Sequence, residues 1–161
     1  MRIPQVIDFE QILKPETVEI IEKCESRKSI LEIASCLLSQ NQEELDRRGL
    51  LEKFIEREEL GSTALDDSEI AIPHCRHERC TAPSAALLRV NTAVPFGQEE
   101  QVRLIVALVV PKEASKDHLD ILRTIALVCS ASSNLTQLLA VQSSSDLYST
   151  FIRCAQEVSA K

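Results

Sequence analysis

The stretch Leu104-Ile105-Val106-Ala107-Leu108-Val109-Val110 is apolar at every position, and Pro111 stops it. Side chains alternate between the two faces of a strand, so a strand without polar alternation has to be covered on both sides. Upstream, residues 84–91 alternate Ala86, Leu88 and Val90 against Arg89 and Asn91, which predicts a strand with one wetter face, and Pro95-Phe96-Gly97 turns the chain. A third strand-like run is Ile70-Ala71-Ile72-Pro73-His74. Proline locks φ and drives the residue before it towards the extended region, so this strand is expected to end there with His74 at its tip.

Helical periods bracket these strands. Ser26 is placed to cap a helix carrying Ile30, Ile33, Ala34, Leu37 and Leu38. Asn41 with Glu44 three residues on matches a capping box opening a second helix, with Leu50, Leu51, Phe54 and Ile55 as its stripe and Gly61 as a left-handed cap at its end. Gly49 inside that helix costs about 1 kcal/mol relative to alanine and marks a candidate break. Ser115 is expected to cap a third helix, with Leu119, Leu122, Ile125, Ala126 and Cys129 on one face. Shorter helical patterns follow at Leu135, Leu138 and Leu139, and at Leu147, Phe151, Ile152 and Ala155. Residues 1–17 read as an N-terminal arm lying on the core, with a candidate short strand over 18–21. Helices, strands and helices again, without a repeat or linker, predict one α/β domain over residues 1–161 with a mixed sheet.

Composition narrows the function. With 44% apolar and 27% charged residues the chain has a globular balance, and with no Trp, one Tyr and four Phe it offers little for stacking bases or sugars. The formal charge of −7 and the absence of any Lys/Arg stripe speak against nucleic-acid binding. Neither a secretory h-region nor an apolar run long enough to span a bilayer is present, so a cytoplasmic protein is expected. In that compartment Cys24, Cys36, Cys75, Cys80, Cys129 and Cys154 are expected as reduced thiols.

Three residues stand out as chemistry. An imidazole at His74 is a nucleophile near neutral pH. His118 falls in the first turn of the helix after Ser115, where unpaired N–H groups and the helix dipole favour an anion. Arg57, just before Gly61-Ser62-Thr63, offers bidentate contacts to phosphoryl oxygens, with the Ser62 and Thr63 hydroxyls lining the pocket. Two other readings apply to His74-Cys75-Arg76-His77-Glu78-Arg79-Cys80: a zinc site built from its imidazoles and thiols, or a low-pKa redox thiol at Cys75 beside Arg76 and Arg79.

The run Arg57-Glu58-Glu59-Leu60-Gly61-Ser62-Thr63 followed by Ile70-Ala71-Ile72-Pro73-His74 resembles the active-site signature of the enzyme IIA family of the bacterial phosphoenolpyruvate phosphotransferase system, fructose/mannitol and nitrogen-regulatory type. The likeness extends to Ala107-Leu108-Val109-Val110-Pro111, to His118-Leu119, back to residues 26–33 and forward to Ser144-Ser145-Asp146-Leu147-Tyr148. This resemblance implies a mixed β-sheet flanked by helices on both faces and a phosphoryl group carried on one histidine. His74 matches the nucleophile, through Nε2 by the family's habit, His118 the second active-site histidine and Arg57 the arginine. It implies a histidine phosphocarrier protein as donor, regulated proteins downstream, and no metal or organic cofactor. A free-standing domain with this helical N-terminal segment looks most like the nitrogen-regulatory branch. A binding module that is not phosphorylated, or a sugar-specific component of a fructose/mannitol permease, are the alternatives within the family. The sequence departs from the pattern at Ala64-Leu65-Asp66-Asp67-Ser68-Glu69, where a glycine-rich run is usual, and at Cys75, where glycine is usual. Asp66, Asp67 and Glu69 oppose an incoming phosphate if they face the histidine and are screened if they face solvent.

Overall fold

The computed structural model describes residues 7–65, 68–113 and 116–159, apart from the side chains of Asn41, Lys116, Asp117 and Ser159. Its centre is β5 (Gln101–Pro111), whose residues alternate between two cores. Leu104, Val106, Leu108 and Val110 pack beneath α4 (Lys116–Ser130), α5 (Ser132–Ala140) and α6 (Ser144–Ser159), while Ile105, Ala107 and Val109 pack beneath α2 (Arg27–Asn41) and α3 (Arg47–Glu59). Covering both faces is therefore what the apolar run achieves. Each fully buried Leu, Ile or Val contributes roughly 1.5–3 kcal/mol, so uncovering either face would undo the fold.

Among the described residues five strands form one sheet in the order β1-β4-β5-β2, with β3 also paired to β5. β1 (Leu13–Ile21) runs parallel to β4 (Ser84–Pro95), β4 is antiparallel to β5, and β2 (Ile70–Ala71) and β3 (His74–His77) are both parallel to β5. The sheet is mixed, as expected. Because β5 is apolar on both sides, a one-residue slip would not change its own burial. Its register is instead set by the hairpin with β4, closed where Phe96 N donates to Glu100 O at 2.9 Å.

Four local expectations are corrected. The second helix does not open with a capping box at Asn41. Asn41 ends α2, and α3 is capped by Asp46, whose carboxylate accepts from Gly49 N at 2.8 Å. Gly49 is thus the third residue of α3, and a Cβ there would lie 2.7 Å from Asp46 Oδ1. Nor does pairing along the edge end at His74, which opens β3. β2 and β3 keep one register along β5, Ala71 opposite Ile105 and His74 opposite Leu108, with Leu108 N donating to Pro73 O at 2.8 Å. An edge strand tolerates proline, because its missing donor is not needed on the outer side.

The strand expected over residues 18–21 begins earlier, since α1 (Phe9–Ile12) and β1 both start within residues 1–17 and bury Phe9, Ile12 and Leu13. Pro15 lies where the pairing of β1 with β4 shifts register, and beyond it Thr17 Oγ1 donates to Ala85 O at 2.8 Å. The wetter face of β4 is also dry at Arg89, whose buried guanidinium donates to Leu138 O at 3.3 Å and to Val141 O. It supplies donors to carbonyls at the end of α5.

The Ser26 cap is present, with its hydroxyl accepting from Ser29 N at 3.2 Å, and Gly61 follows α3 at φ 147°, a region L-residues avoid. Ser115 lies outside the described residues. All six cysteines are free thiols, and no described helix is long and apolar enough to cross a membrane. Replacing Asp46→Ala removes one cap acceptor and is expected to cost about 1 kcal/mol of stability. Urea unfolding of the two proteins measures the difference.

Candidate functional site

His74 opens β3 on the outer edge of the sheet, where the two helical layers come within reach of one another. A cavity of about 700 Å³ is lined there by Lys53, Glu56 and Arg57 of α3, by Leu60, by His74, Cys75 and Arg76, by Leu108 and Val110 of β5, and by His118, Leu119 and Leu122 of α4. His74, Arg57 and His118 therefore come together. Arg57 sits in the last turn of α3 and buried His118 in the first turn of α4, so the three arrive from three separate elements.

The tautomer of His74 follows from its neighbours. Nδ1 lies 2.9 Å from Ile72 O, and a carbonyl can only accept, so Nδ1 carries the proton. Nε2 keeps its lone pair. Arg57 Nε donates to Nε2 across 3.4 Å, and Arg57 Nη1 donates to Gly61 O at 2.9 Å. Burial lowers the pKa of His74 below its ordinary 6.5; the Ile72 hydrogen bond opposes this, the Arg57 charge adds to it, and Glu58 acts weakly against it. The result favours a neutral imidazole whose Nε2 lone pair accepts from the guanidinium.

Ser62 and Thr63 do not line this cavity. Ser62 Oγ accepts from Ala64 N at 3.1 Å and borders a neighbouring depression with Arg27, Phe96 and Gly97. Thr63 is buried, and both its N, at 3.0 Å, and its Oγ1 donate to the Glu58 carboxylate. Glu58 is the residue that sequence reasoning missed. It is only 3% exposed. The signal was its spacing, since Leu50, Phe54 and Glu58 recur every four residues on the buried side of α3.

The local carboxylates separate likewise. Glu69 is exposed, with an oxygen 3.9 Å from Arg103 Nη1, and lines none of the cavity; Asp66 and Asp67 lie outside the described residues. The low-pKa thiol reading of Cys75 is overturned. Burial first, and Cys80 second, push its pKa up to about 12, against a smaller opposing effect of Lys53. No zinc ligand set forms either. His77 is buried with Nδ1 accepting from Arg79 N at 3.0 Å, and among the described residues no three His, Cys, Asp or Glu side chains converge to hold a metal.

Residues 11–154 match the family model for the phosphoenolpyruvate-dependent sugar phosphotransferase system, EIIA 2. The chain belongs to this family. It is 37% identical over 123 residues to a nitrogen regulatory protein of Pseudomonas aeruginosa, covering 75% of this chain and 79% of that one. The crystal structure of nitrogen regulatory protein IIA-Ntr from Neisseria meningitidis has a TM-score of 0.80 at 29% identity, covering 89% of this chain and 98% of that one. The mannitol-specific phosphotransferase enzyme IIA component of Bacillus subtilis is 26% identical over 144 residues, 88% of this chain and 96% of that one. The mixed sheet between two helical layers is the fold of this family, as the sequence resemblance implied.

The depressed pKa has a definite sign. Below pH 6.5 an unfolded chain takes up the proton first, so the folded protein loses this part of its stability as pH falls and keeps it above pH 6.5. NMR titration of the His74 ring is expected to give a midpoint below 6.5, with Nδ1 as the protonated nitrogen of the neutral form.

Proposed function

We propose that this EIIA-family chain is a phosphohistidine carrier in which His74 Nε2 accepts a phosphoryl group from a histidine phosphocarrier protein. The observation that carries this reading is the Nδ1-protonated imidazole, whose Nε2 lone pair faces Arg57 in a cavity shared with His118. Nε2 attacks phosphorus in line and forms the new N–P bond. The donor's N–P bond breaks, and its electron pair returns to the donor imidazole.

Nothing in the His74 ring has to turn over during transfer, since Nδ1–H stays on Ile72 O before and after. Arg57 moves its Nε–H from the ring nitrogen to the arriving oxygens. His118 lines the same cavity, and the N-terminal turn of α4 supplies positive potential. Catalysis then consists of positioning and charge stabilisation, which is what phosphoryl transfer chiefly requires. The Ser62 and Thr63 hydroxyls have no part in holding the oxygens.

The output is regulatory, in the manner of the nitrogen branch, with the protein acting in the cytoplasm on downstream proteins whose binding depends on the state of His74. Support for this comes from the 37% identity to a nitrogen regulatory protein. Incubation with the phosphorylated histidine phosphocarrier protein of the same organism is expected to add one phosphoryl group, read by intact mass. His74→Ala is expected to abolish the gain, His118→Ala to slow it with an unchanged circular dichroism spectrum, and Arg57→Ala to slow it on the order of 100-fold. Uptake retained by the His74 variant, or absent from the wild type, overturns the reading.

A further inference from the structure

We propose that Glu58 and Thr63 are positioning residues that hold Arg57 in register with His74, an inference that rests on the phosphoryl-transfer reading of that site. Arg57 is anchored at one end by Gly61 O, at 2.9 Å from Nη1. Gly61 has a positive φ of 147° and no side chain to fix it. What fixes it is the return of the chain onto α3. Gly61 N donates to Glu58 O at 3.1 Å, and two residues later Thr63 N, at 3.0 Å, and Thr63 Oγ1 both donate to the Glu58 carboxylate. The guanidinium, the glycine carbonyl, the threonine and the glutamate next to Arg57 thus close a ring.

A carboxylate only 3% exposed needs donors to replace its lost water. Thr63 supplies two, and the charge of Arg27 stands 3.9 Å from Glu58 Oε2. Arg27 Nη1 also donates to Phe96 O at 3.0 Å, which ties the ring to the β4–β5 hairpin. Thr63, which the sequence placed among the phosphate ligands, therefore acts on the phosphate through Arg57. Removing its hydroxyl keeps every charge in place and loosens only the anchor, whereas changing Glu58 alters both charge and anchor.

The test uses the whole chain with Thr63→Val, Thr63→Ser and Glu58→Gln, each also combined with Arg57→Ala. Phosphoryl uptake is measured against increasing phosphorylated histidine phosphocarrier protein, and the imidazole 15N resonances of His74 are recorded on unphosphorylated protein. Thr63→Val is expected to lower the limiting rate roughly 10-fold or more and to leave the half-saturating donor concentration within about twofold, as misplacement of a transition-state contact predicts. Thr63→Ser, which restores the hydroxyl, stays near wild type. With Arg57 already alanine, Thr63→Val has no further effect, because residues acting as one unit are not additive. The Nε2 resonance of His74 moves in Thr63→Val. Equal losses with and without Arg57, or a wild-type rate together with an unmoved Nε2 resonance, overturn the proposal. If wild-type protein takes up no phosphate, the carrier reading fails and the Nε2 resonance alone decides the positioning claim. Should Thr63→Val be unfolded by circular dichroism, Glu58→Gln, which keeps an oxygen for the threonine donors, carries the same comparisons.

Discussion

One hydrogen bond, from His74 Nδ1–H to the Ile72 carbonyl, leaves Nε2 as the ring nitrogen that keeps its lone pair. The acceptor exists because β2 stops at Ala71 and β3 starts at His74, leaving Ile72 and Pro73 between two stretches of ladder. Ile72 N donates to Thr63 O at 3.1 Å, away from β5, and its carbonyl is left for the imidazole. The proline that interrupts the edge therefore also orients the ring. Arg57, donating to Nε2, selects the same tautomer, and burial, Arg57 and Glu58 adjust how readily that ring takes a proton.

The location of this bond at the sheet edge matters as much as its geometry. α3 packs on one face of the sheet and α4 on the other, so side chains from the two layers are separated over most of the molecule. At the outer strand the layers are no longer divided. Arg57 from one side and His118 from the other line a single cavity with His74. A central strand such as β5, closed off on both faces, could not bring them together.

Much of this architecture was legible in the sequence because it depends on periodicity. The unbroken apolar run of β5, the stripes of α2 and α3, the Ser26 cap and the positive φ at Gly61 follow from rules acting over a few residues. The convergence of His74, Arg57 and His118 was available only through family resemblance, since no local pattern places residues 57, 74 and 118 in one cavity. Errors arose where two local signals competed or where tertiary contacts overrode them. Asn41 and Asp46 are both good caps, and the choice between them was made by the continuation of α2 to residue 41. Arg89 read as lying on a wetter face because it is charged, yet it is buried with its terminal nitrogens donating to carbonyls at the end of α5, and charged Glu58 is buried where Thr63 N donates to it. Thr63, expected to line the pocket, has its N and hydroxyl on the Glu58 carboxylate instead of in the cavity.

The outer strands of the sheet share a feature with a different consequence. β1 carries Pro15 where its pairing slips, and the β2–β3 edge is broken by Pro73. An exposed edge with a continuous row of donors and acceptors is a template on which another polypeptide can grow. Here each margin lacks one amide hydrogen, and β1 also shifts register near its proline, so the row of donors is interrupted at both borders. Strand-to-strand pairing of one copy with another along either margin is thereby opposed.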